Sequence, residues 1–113
     1  MPLKFYIPRC RILTKRRQYG LSRPENGKIG YRAAIEELLI GEASSLGLES
    51  MQIPKGRYIS IIVEDFGNKV TAISNAFNEL LSVKGIDPNG YCVEYYINST
   101  DVQCMVRLTD IIN

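Results

Sequence analysis

The sequence predicts one α+β domain in which a strand–helix unit occurs twice, with the strands in an antiparallel sheet and the helices on one of its faces. Three observations carry that expectation: an internal repeat, an amphipathic stripe at the same place in each copy, and a strand–turn–strand pattern after the second stripe. At 113 residues the chain is sized for a single domain that buries its own core. The repeat divides it into a first module of about 1–48 and a second of about 49–113.

The repeat comes first because it sets the organisation. Ile7-Pro8-Arg9-Cys10-Arg11-Ile12-Leu13-Thr14 aligns with Ile53-Pro54-Lys55-Gly56-Arg57-Tyr58-Ile59-Ser60, identical or similar at every position but the fourth and sixth. Ala34-Ile35-Glu36-Glu37-Leu38-Leu39 then aligns with Ala76-Phe77-Asn78-Glu79-Leu80-Leu81. The first copy is longer between the two blocks, and Ser22-Arg23-Pro24-Glu25-Asn26-Gly27, rich in turn formers, reads as the loop that holds the surplus.

Each helix rests on a 3.6-residue period. Tyr31, Ala34, Ile35, Leu38 and Leu39 form one stripe and Val70, Ile73, Phe77, Leu80 and Leu81 the other, with Gly41 and Gly85 as stops. The strand of the second copy rests on Ile59, Ile61 and Val63 alternating with Tyr58, Ser60 and Ile62. A β-hairpin follows, Tyr91 to Ile97 and Val102 to Leu108 around the turn Asn98-Ser99-Thr100-Asp101. The first copy has too few residues between Leu39 and Ile53 for such a hairpin, so it is expected to lack one.

If Ile97 pairs with Val102, the hairpin turns Val93, Tyr95, Ile97, Val102, Cys104 and Val106 toward the helices. Cys92, Glu94, Tyr96, Gln103, Met105 and Arg107 then lie on the helix-free face. There Glu94 sits opposite Met105 and diagonal to Arg107. A carboxylate beside a tyrosine ring and a polarizable thioether suits a cationic or amphipathic ligand. The same geometry equally suits an ion pair of Glu94 with Arg107 on a solvated surface.

Composition excludes more than it assigns. With 45% hydrophobic and 23% charged residues the chain is ordinary for a globular protein, and a net charge of +2 is too small to predict nucleic-acid binding. Basic residues concentrate between Arg9 and Arg23, where Arg9, Arg11, Lys15, Arg16 and Arg17 read as a charged edge strand or as a surface for an acidic partner. Cys10, Cys92 and Cys104 lack metal-binding spacing and histidine is absent, so no metal and no cofactor is expected. No apolar run reaches a membrane span and the opening residues lack the apolar stretch of a signal peptide; a cytoplasmic protein with reduced thiols is the expectation.

Pro54-x-Gly56-x-Tyr58, an amphipathic helix, and Glu94-x-Tyr96, in that order, resemble the GyrI-like (gyrase-inhibitory-protein-like) family, whose domain also forms the effector-binding part of MerR-type and AraC-type bacterial transcription regulators. The resemblance is strong over Ile53 to Leu108 and depends on the repeat over Leu3 to Leu48. It implies a duplicated strand–helix–strand–strand fold with a ligand groove between the modules. It also implies Glu94 as the acidic residue of that groove, with Tyr96 and Tyr58 as its aromatic walls. Met105 joins them by hairpin register and Tyr19 as a further candidate.

The resulting expectation is a sensing or sequestering module for a lipophilic cation or other small organic molecule, linked to transcription regulation but without a DNA-reading helix of its own. A homodimer is expected to cover the edge that the missing first hairpin leaves. A gyrase-inhibitor-like protein-interaction module and a hydrolase using the cleft glutamate are the alternatives. An enzyme is not expected, because no Ser-His pair, second carboxylate or phosphate loop accompanies Glu94.

Overall fold

The structure, a computed structural model, describes residues 3–6, 16–25 and 27–110. Among the described residues seven strands and two α-helices follow in chain order: β1 (Leu3–Tyr6), β2 (Gln18–Glu25), β3 (Lys28–Glu36), α1 (Glu42–Ser45), β4 (Ser50–Ile53), β5 (Tyr58–Val63), α2 (Ala72–Leu81), β6 (Cys92–Tyr96) and β7 (Val102–Arg107), with one 3-10 turn at Phe66–Asn68. The strands form one antiparallel sheet in the order β4-β1-β3-β2-β6-β7-β5. The chain is therefore α+β.

The strand order has internal symmetry. Setting β4 aside, β1-β3-β2 mirrors β5-β7-β6, and the halves meet where β2 pairs β6, with Gly20 opposite Glu94. In the second half β5 leads through α2 to the β6–β7 hairpin. In the first half the antiparallel pair is β2–β3.

That first half differs from the sequence expectation in two linked ways. Residues 31–36, read as the start of a helix, belong to β3, and the first-module hairpin, read as missing, is β2–β3 itself. The physical reason is Gly27, at φ 78, next to the closing pair Glu25↔Lys28, from which eight residue pairs run in register to Gln18↔Ile35. Ser22 to Glu25, read as loop, are strand residues. Apolar residues at 31, 34 and 35 satisfy a helical stripe and equally a strand buried on both faces, as Ala34 and Ile35 are. Leu38, Leu39 and Ile40, freed from any helix, are exposed. Gly41, read as a helix stop, instead precedes the single turn of α1 at φ 82. The hairpin's presence also removes the reason for expecting a homodimer. The first repeat block, Ile7 to Thr14, lies outside the described residues.

The second half follows the expectation more closely. Strand β5 spans the predicted alternation, and Ile59 and Ile61 pack with buried Val63 against α2 through Ala72, Ile73, Ala76, Phe77 and Leu80. Val70, counted in the stripe, precedes the helix and is 96% exposed. Helix α2 lies over β5 and β7. On the same face α1 places buried Ala43 against Ile35 of β3, with Leu48 beside it. Both helices thus lie on one face, leaving the central strands β2 and β6 between them. Among the described residues no helix is long and apolar enough to cross a membrane.

A second core fills the opposite face, where Tyr19, Leu21, Ala34 and Val93 are buried with Met51, Ile53, Tyr91, Tyr95 and Met105 around them. Tyr19 stacks on Tyr95 with ring centroids 5.1 Å apart. Chain length dictates how this core is closed. Strands β4 and β5 stand at opposite ends of the sheet, about 29 Å apart if it were flat. Yet only 54–57 join them, and that connection reaches at most about 18 Å. The sheet must curl, and its concave side is this second core.

Candidate functional site

The hairpin register decides which side chains meet. Cys92 pairs Val106, Glu94 pairs Cys104 and Tyr96 pairs Val102, one residue away from the expected pairing of Ile97 with Val102. The cause is the turn. Asn98 Oδ1 accepts from the backbone N–H groups of Thr100 and Asp101, both at 2.8 Å, and Ile97 N–H donates to Asp101 O, so the connection takes five residues instead of four. A one-residue slip turns a strand over. Strand β7 keeps its expected faces, but in β6 Cys92, Glu94 and Tyr96 lie on the helix-bearing side, and Val93 and Tyr95 on the other.

The five residues predicted for one ligand site are thereby divided. Tyr19, Tyr58 and Met105 line a cleft on the concave face, together with Ile53, Pro54, Lys55, Gly56 and Val93. Glu94 and Tyr96 stand across the sheet from them. The expected ion pair of Glu94 with Arg107 is also absent: Arg107 bonds Asp87 at 3.0 Å, Asp110 at 2.6 Å and the Lys55 carbonyl at 3.0 Å.

On the helix-bearing face Glu94 forms a cluster at the seam of the two halves. The Tyr96 hydroxyl donates to Glu94 Oε1 at 2.5 Å. Tyr31, from β3 of the first half, brings its hydroxyl to the same spot over Gly20 and adds to the upward push on the Tyr96 hydroxyl. Gly20 is the residue across from Glu94, and its missing side chain makes the space: a Cβ there would collide with the Tyr31 hydroxyl and press on the Glu94 carboxylate. Phe66 meets the Tyr96 ring edge-on with centroids 5.7 Å apart, fixing it from the α2 side.

The electrostatics follow from this packing. Burial, then the bond to the carboxylate, pushes the Tyr96 hydroxyl far above the ordinary tyrosine range, so it remains a donor. Glu94 is half-buried, and among the described residues none of the ion pairs includes it. The adjacent thiols are held protonated: burial, with Glu94 adding to it, raises Cys92 and pushes Cys104 up to about 11, which disfavours thiolate chemistry. Among the described residues no group of three His, Cys, Asp or Glu could hold a metal ion.

Tyr31 is the member that sequence reasoning missed, because a helix had been assigned across it. The signal was there in Asn26-Gly27 flanked by strand-compatible residues, with Ile29, Tyr31, Ala33 and Ile35 alternating along one face. The basic cluster has also partly resolved. Arg16 grips Glu42 through two bonds of 2.5 and 2.7 Å, which ties it to the fold, and Arg17 lies 3.9 Å from Glu36 with its side chain largely exposed. Arg9, Arg11 and Lys15 lie outside the described residues. Compared with family models, curated proteins and solved structures, the chain gives no match to any of them.

Proposed function

We propose that this chain is a small-molecule-binding module of the GyrI-like kind, which seats an organic cation with an apolar body between its two helices, on Glu94, Tyr96 and Tyr31. One observation carries the reading: a half-buried carboxylate at the seam between the halves, hydrogen-bonded by the Tyr96 hydroxyl, with the Tyr31 hydroxyl beside it over Gly20, and paired with no cation among the described residues. Such a carboxylate lacks a compensating charge that a ligand can supply, and aromatic rings beside it add cation–π attraction. The mirrored strand order and the strand–helix–strand–strand arrangement of the second half support the family reading. In this role the module senses or sequesters its ligand, and any transcriptional output passes through another domain or protein.

Isothermal titration with tetraphenylphosphonium, a rigid lipophilic cation, tests the proposal. Wild-type protein is expected to bind it, and Glu94→Gln, which keeps shape and removes charge, to weaken binding by about tenfold or more. Equal affinity of the two proteins would exclude Glu94 as the anchor.

A further inference from the structure

The geometry points to a second ligand site, on the concave face, for a small aromatic carboxylate held by Lys55 at the rim and by Tyr19, Val93 and Met105 below. It stands apart from the cation reading of the Glu94 cluster, since the two sites lie on opposite faces of the sheet.

Size sets the first limit. The cleft encloses about 210 Å³, less than the roughly 300–1,000 Å³ of sites for drug-sized ligands but more than the roughly 150 Å³ that admits benzene. One substituted ring fits. Its surroundings favour such a ring, because Tyr19 and Val93 are 5% and 1% exposed and Met105, Ile53 and Pro54 add further apolar surface.

Charge sets the second limit. Among the described residues lining the cleft Lys55 is the one that carries a charge, and it is exposed, with no ion pair among those residues. Arg107, close by, is already committed to Asp87 and Asp110. Among the described residues no carboxylate lines the cleft, so they offer a cation no partner while an anion finds Lys55.

The wall is built in advance of any ligand. The connection 54–57 is held at one end by the Tyr58 hydroxyl, which donates to Pro54 O at 2.5 Å, and in its middle by Arg107 Nε, which donates to Lys55 O at 3.0 Å. Gly56 lies so close to the Arg107 guanidinium that a Cβ would collide with it. A strap tied down at two points spends little ordering entropy on binding.

The experiment is a methyl-detected NMR titration with benzoate, using benzylammonium as the control of opposite charge. Benzoate is expected to shift the Met105 and Val93 methyl signals in a saturable way, and benzylammonium to leave them in place. Lys55→Gln, on an exposed loop, should weaken benzoate about three- to fivefold, while Glu94→Gln should not change it. The proposal is overturned if benzoate leaves both methyls unmoved, if benzylammonium moves them equally, or if Lys55→Gln binds benzoate as tightly as wild type. Failure of the wild-type protein to bind tetraphenylphosphonium, with the benzoate response intact, would refute the Glu94 reading and leave this one standing.

Discussion

On the helix-bearing face, the seam between β2 and β6 presents a carboxylate and two tyrosine hydroxyls around a glycine. One residue along the same strands, the concave face presents Tyr19, Leu21 and Val93, with no acid. Both surfaces come from alternation along shared backbones, so the register that places Gly20 opposite Glu94 fixes both at once. A polar cluster and an apolar cleft are in this way stacked through one sheet, each tunable without entering the other.

The largest test of that division compares neighbours on β2. Leu21 is completely buried in the concave core, and Leu21→Ala is expected to cost about 3 kcal/mol from lost burial and the cavity left behind. Ser22, next along the strand and only half-buried on the opposite face, should cost no more than about 0.5 kcal/mol as Ser22→Ala. Urea unfolding of the two variants gives the answer. Comparable losses would mean that the faces are wrongly assigned.

Two tyrosine hydroxyls sharpen the contrast. Tyr96 donates to a carboxylate in a half-buried setting, so Tyr96→Phe should lower stability by about 1.5 kcal/mol. Tyr58 donates to a backbone carbonyl near the surface, and Tyr58→Phe should cost about 0.5 kcal/mol. The reverse order in thermal or urea unfolding would contradict the role given to the Glu94 cluster.

The same cluster predicts an alkaline limit. Cys104, ordinarily near 9, is pushed up to about 11 by burial, and Tyr96 is raised well above its usual 10. A raised acid holds its proton longer in the folded state than in the unfolded one. The stability it contributes is therefore complete below the unfolded value and is lost as pH rises past it. Unfolding free energy should stay level from neutrality to about pH 9 and then fall. Tyr96→Phe should make the fall above about pH 10 shallower. Tyr19 and Tyr58, also raised chiefly by burial, keep a residual slope from the concave face. A slope unchanged in Tyr96→Phe would assign the alkaline loss to other groups.

How much of this was legible varies along the chain, for physical reasons. Residues 58–108 could be read because α2 is long enough for its period to show and β5 alternates cleanly, with Ile59, Ile61 and Val63 toward the helix. What failed there was a single residue of turn length, set by the Asn98 side chain, which turned β6 over and separated Glu94 from Met105. In the first half, Ala34 and Ile35 are buried on opposite faces of a strand, and such a strand has no period to distinguish it from a helix. Glu94 was found from its motif. Tyr31 is brought beside it over Gly20 by pairing across two strands, which local pattern does not encode.

Gly20→Ala is a small perturbation in stability and the most selective of these changes in its consequence. The added methyl has no room beside the Tyr31 hydroxyl, but that hydroxyl is the far end of a flexible side chain on a residue 54% exposed, so the ring can swing outward. The Glu94 carboxylate must also retreat by a few tenths of an ångström. Stability should therefore change by less than about 1 kcal/mol, since no buried apolar contact is lost and glycine is a poor strand residue in any case. Tetraphenylphosphonium affinity should nevertheless fall, because one aromatic wall leaves the seam, while the benzoate response of the Met105 methyl on the other face should persist. If Gly20→Ala weakened both ligands alike, the two surfaces would not be separable, and the sheet would have to be treated as a single site.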